Sequence, residues 1–110
     1  MQLVLSSVDN PGFEISTLAK VDCGADRTII PSSLIDELQL VEIDSRLFEG
    51  ADGHIFSMPL FILHVQIADL PKCEIVAAAN ESESIVLLGL DVLNQLRIIL
   101  DGPNQIFEIG

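Results

Sequence analysis

A chain of 110 residues with 17 acidic against 5 basic side chains, and a net charge of −12, is ill suited to nucleic acid or to an anionic membrane surface. Apolar residues make up 49% of it, which is ample for one core, so residues 1–110 read as a single domain; its two cysteines, Cys23 and Cys73, fit a reducing, cytoplasmic compartment without structural disulfides. No apolar run reaches the roughly 18 residues that span a bilayer, and the opening MQLVLSSVDN lacks the basic start of a secretory signal.

Short segments rich in Val, Ile, Leu and Phe alternate with turn signals, the pattern of a mainly β domain. Strands are expected at 2–8 and 13–21, separated by DNPG at 9–12, and again at 27–30. Pro31 then introduces SSLIDELQL, a short helix with Ser33 as its cap, Asp36 three residues on, and Leu34, Ile35 and Leu38 on one face. Strands at 41–49 and 54–67 flank GADG at 50–53, which reads as a hairpin tip. LPK at 70–72 precedes a strand at 73–79, and NESES at 80–84 reads as a solvated loop before a strand at 85–88. DVLNQL is a second short helix with Asp91 as its N-cap. Strands at 97–101 and 105–109 close the chain as an apolar hairpin across DGPN, whose edge would suit a dimer contact.

The stretch VDCGAD, residues 21–26, stands between two apolar runs. It has two readings. Asp and Gly end strands, so it is an ordinary turn; or it is a tight loop that presents a carboxylate to a substrate. Its context bears on the choice. LAKV leads in and TIIP leads out to a helix, FEGADGHIFSMPL supplies a hairpin downstream, and IVLLGLDVL later runs a strand through Gly89 into a helix.

Taken together, these motifs resemble the retropepsins, the single-lobe aspartic proteases of retroviruses and retroelements. Those proteins carry Asp-Thr/Ser-Gly-Ala, then a flap hairpin, then an apolar-apolar-Gly motif before a helix. The resemblance covers roughly residues 13–101 in order. It implies a closed, β-barrel-like lobe with a flap and one or two short helices, acting as a homodimer on peptide or protein substrates, with no cofactor or metal. Each lobe would give one catalytic Asp, here Asp22. Two such carboxylates in contact share a proton, so that one activates water while the other protonates the peptide carbonyl.

By the same resemblance Gly24, Ala25 and Asp26 contact substrate, Ile29 and Leu87 wall its pockets, and Gly53 lies in the flap tip. Cys23 occupies the position of the hydroxyl that braces the dimer beneath the catalytic pair, and a thiol is a weak donor and acceptor. Leu90 follows Gly89 where retroviral members have an Arg paired to the Asp matched by Asp26. Arg27 is a substitute only if neighbouring side chains in an extended segment can meet, which they rarely do.

Three functions fit: an aspartic endopeptidase, favoured by Asp22, Gly24 and Ala25; a catalytically weak or inactive dimer that binds extended peptides, favoured by Cys23; and a structural dimerisation module. His54, His64, Cys23 and Cys73 are too scattered for a metal site. His54 reads as a solvated flap residue and Cys73 as a small buried hydrophobe.

Overall fold

The segment MPLFIL is apolar on consecutive residues because the strand that contains it is covered on both faces. In the computed structural model, which describes residues 1–10, 12–95, 98–101 and 106–109 (the last two segments by backbone alone), this strand is β5, Ile55–Gln66. Phe61, Leu63 and Val65 point into the main core. Met58 and Leu60 point the other way, into a second, smaller apolar cluster. Its neighbour β6, Cys73–Asn80, splits in the same manner: Ile75, Ala77 and Ala79 face the main core, Ala78 and Val76 the second cluster. Three consecutive small residues let both layers approach closely.

Strands β1 (Gln2–Ser6), β2 (Glu14–Val21), β3 (Ile29–Pro31) and β7 (Val86–Leu88) complete a closed six-stranded barrel, ordered β1-β2-β7-β3-β6-β5 and back to β1. Closure comes from β1, which pairs with Glu14–Leu18 of β2 on one side and with His64–Gln66 of β5 on the other. Two pairings are parallel, β2 with β7 and β3 with β6. They place the C-terminal ends of β2 and β7 side by side. Strand β4 (Asp44–Glu49) lies outside the closed circuit, forming a hairpin with β5.

Helix α1, Ser32–Leu38, buries Ile35 and Leu38 and half-buries Leu34, as its apolar spacing predicts. Its start differs from expectation. Pro31 is the N-cap and no side chain caps the helix, so Ser33 lies inside the first turn. The chain passes directly from β3 into α1 and leaves no room for a separate capping residue. Helix α2, Leu90–Leu93, is shorter than DVLNQL; Gly89 is its N-cap, and Asp91 is displaced into the first turn. Among the described residues no helix is long and apolar enough to cross a membrane.

Three strand boundaries move by two residues or more. Residues 27 and 28 precede β3 and serve the loop contacts described below, β4 begins at Asp44 rather than at 41, and β1 ends at Ser6. The terminal hairpin is present as β8 (Ile98–Asp101) and β9 (Ile106–Ile109), antiparallel and forming a sheet of their own. Its expected turn falls at 102–104, outside the described residues.

Candidate active site

Residues 22–26 form a loop that leaves the end of β2 and is fastened to β7 and α2 by the main chain. The Asp22 N–H donates to the Leu88 carbonyl at 3.0 Å, and the Ala25 N–H closes the turn on the Asp22 carbonyl at 3.2 Å. From the other side, Leu90 N–H reaches the Ala25 carbonyl at 2.8 Å and Asp91 N–H reaches the Asp26 carbonyl at 3.2 Å. The Asp22 carboxylate, half-buried, accepts the Gly24 N–H on Oδ1 at 3.1 Å. One carboxylate is therefore held at the mouth of the loop, its second oxygen taking no hydrogen bond among the described residues.

Below the loop is a polar knot that sequence reasoning did not pick out. Thr28 is fully buried. Its hydroxyl donates to Asp91 Oδ1 at 2.7 Å and accepts the Gly89 N–H at 3.1 Å. Its own N–H meets both Asp91 oxygens at 3.0 Å. Asp91 thus does not cap α2 through the Ncap position; its carboxylate also takes the Val92 N–H at 2.9 Å and ties the helix start to the strand after the loop. The sequence signal was a lone Thr entering TIIP and a lone Asp just after IVLLGL, each a polar residue in an apolar run.

Gly89 is required by space. A methyl there would lie 2.6 Å from the Arg27 carbonyl carbon and 2.9 Å from the Ala25 oxygen, far inside contact distance. Gly24 is different. An added methyl would meet only Asp22 Oδ1, at an ordinary 3.4 Å. Nothing among the described residues forces glycine at position 24.

The five loop residues Asp22, Cys23, Gly24, Ala25 and Asp26 are contiguous, with Cys23, Gly24 and Asp26 exposed. Ile29 and Leu87 are brought face to face as cross-strand partners of β3 and β7, both half-buried. Ile29 also joins the second apolar cluster with Phe48 and Phe56, the inner face of the β4–β5 hairpin. Those two rings stack at 6.4 Å between centroids. Gly53 stands apart from the loop, in the hairpin turn, with φ +82° and open space around it. Gly53 and Gly50 fasten the turn through Gly53 N–H to the Gly50 carbonyl (2.9 Å) and Gly50 N–H to the His54 carbonyl (2.8 Å).

Arg27 does not pair with Asp26. Its guanidinium donates to the Val76 carbonyl at 2.8 Å, on the far side of β3. His54 is exposed, while Cys73 is only half-buried, packed at the margin of the main core rather than within it. Among the described residues no cluster of His, Cys, Asp and Glu has the makings of a metal site.

The closed barrel, the fastened Asp-x-Gly-Ala loop and the apolar-Gly strand that supports it can now be set beside known proteins. The fold is similar to the crystal structure of the retroviral protease-like domain of Ddi1 from Leishmania major, with a TM-score of 0.58 and 14% identity over 99% of this chain and 86% of that one. No curated protein matches the sequence. Residues 14–95 match the family described as "gag-polyprotein putative aspartyl protease", a span that holds β2, the whole loop, the hairpin, β7 and α2. The chain belongs to this retroviral-type aspartyl protease family.

Proposed function

We propose that the protein is an aspartic endopeptidase whose active site is completed by a second copy of the same chain. The observation that carries this reading is the Asp22 carboxylate, oriented by the Gly24 N–H on a loop clamped from both sides yet open to solvent. One chain provides one such carboxylate. Two of them across a two-fold axis would share a proton; the ionised member takes a proton from water as it attacks the peptide carbonyl, and the protonated member donates to the carbonyl oxygen. Neither a metal nor a covalent intermediate is needed.

In this reading Gly24, Ala25 and Asp26 line the bound peptide, and Ile29 and Leu87 wall a pocket for apolar side chains flanking the scissile bond. Gly53 lies at the tip of a flap that closes over it. The room for a methyl at Gly24 among the described residues supports a demand from outside the chain, either substrate or partner. Cys23, exposed and short of hydrogen-bonding power, supports a second reading in which the same dimer binds extended peptides and cleaves them poorly.

The test is an extended peptide library with apolar residues at its centre, incubated with wild type and with Asp22→Asn. Cleavage by wild type and none by a folded Asp22→Asn supports the endopeptidase. Binding of the same peptides without cleavage by either protein supports the second reading.

A further inference from the structure

The chain from Leu40 to Ile43 does not enter the β4 ladder, although the Ile43 N–H reaches the Leu60 carbonyl at 2.9 Å. Leu40 packs against the main core, but Val41 and Ile43 are left at the surface, 78% and 50% exposed. They stand over a hollow of about 630 Å³ whose wall also includes Phe13, 37% exposed, and Ile62. Aliphatic and aromatic groups left bare around a concavity are not what a solvated surface needs.

The rim has one sign of charge. Asp9 and Glu74 line the hollow, and among the described residues no Lys or Arg does. Glu42 is exposed between Val41 and Ile43. Glu74 lies 3.7 Å from His64, a contact that carries charge only when the imidazole is protonated. A second copy of a chain with net charge −12 would bring the same carboxylates against these, and nucleic acid or anionic lipid would be repelled likewise.

We propose that this groove docks a short peptide segment of another protein that presents aliphatic side chains flanked by Lys or Arg. The apolar side chains would enter beside Phe13, Val41 and Ile43, and the cations would meet Asp9, Glu42 and Glu74. The groove shares no residue with the Asp22–Asp26 loop, so the proposal stands whether or not the protein cleaves peptides.

The probe is a short fluorescent peptide alternating Leu with Lys, compared with one carrying Glu for Lys and one carrying Ser for Leu. Saturable anisotropy is expected for the first alone, weakening as salt is raised, with amide NMR shifts centred on Phe13, Val41 and Ile43. Val41→Ser, at an exposed position, should keep the circular dichroism spectrum and weaken binding about five-fold, the value of one lost apolar contact. Glu42→Lys should weaken it further and flatten the salt dependence. The proposal is overturned if the three peptides bind alike or not at all, or if the shifts fall on Asp22–Asp26. It is also overturned if Val41→Ser leaves peptide affinity unchanged and alters sedimentation instead, which would make the groove a contact between copies.

Discussion

Asp91 holds Thr28 through both its backbone N–H and its hydroxyl, across 63 residues of sequence. The two side chains join the strand that leaves the Asp22 loop to the helix that supports it. Because the Thr28 hydroxyl also accepts the Gly89 N–H, removing it leaves a buried donor unpaired and takes a donor from the carboxylate.

Thr28→Val should therefore destabilise the fold by about 2–3 kcal/mol, even though it keeps the side-chain shape. Thr28→Ser retains every hydrogen bond and loses one methyl, so its cost should be about 1 kcal/mol. Urea unfolding of both variants decides the matter. Equal stabilities would mean that the hydroxyl contributes no more than the methyl.

The two glycines Gly89 and Gly53 should respond unequally to the same change. Gly89→Ala drives a methyl into the Arg27 and Ala25 backbones, and a loss of about 3 kcal/mol or more is expected because backbone cannot swing aside. Gly53→Ala meets open space and carries only the cost of a left-handed conformation, about 1 kcal/mol. Thermal melts at matched concentration give the ranking.

Cys23→Thr replaces an exposed thiol with a hydroxyl that bonds well. Because the side chain is exposed, the stability of the single chain should stay within about 0.5 kcal/mol of wild type. If the loop meets its copy across a two-fold axis, self-association should tighten by about 1–2 kcal/mol, since two symmetric bonds improve together. Peptidase turnover should rise with it. Sedimentation equilibrium under reducing conditions measures the first effect and peptide cleavage the second; a weaker association in the Thr variant would speak against Cys23 at the axis.

Peptidase activity should peak on the acid side of neutrality. Only a pair of carboxylates holding one proton contains both a base and an acid. Raising the pH removes the acid, and lowering it far enough removes the base, so kcat/KM should trace a bell. A rate that climbs steadily into alkaline solution would point to a different nucleophile.

Much of the fold was legible because its strands carry their own punctuation. The β4–β5 hairpin follows from apolar runs around GADG, and α1 from Leu34, Ile35 and Leu38 after Pro31. The Asp22 loop was legible from VDCGAD and its downstream partner IVLLGL. What escaped was long-range. Thr28 and Asp91 look local in sequence, the latter like a helix cap, and it is the pairing of β7 with both β2 and β3 that brings them together. Ser33 was misplaced for a related reason, since a strand that runs straight into a helix leaves its capping position to Pro31. The outward turn of Arg27 to Val76 depends on a neighbour 49 residues away.

The dependence of the Asp22 loop on Leu88, Leu90 and Asp91 also has a bearing on order of assembly. A ribosome delivers Asp22 long before it delivers those residues, and contacts so distant in sequence form late. Until the stretch at 86–91 has emerged, the loop lacks its supports from Leu88, Leu90 and Asp91 and from the Gly89 N–H on Thr28. A growing chain therefore carries its carboxylate unaimed, and any chemistry at that position waits for synthesis of most of the domain.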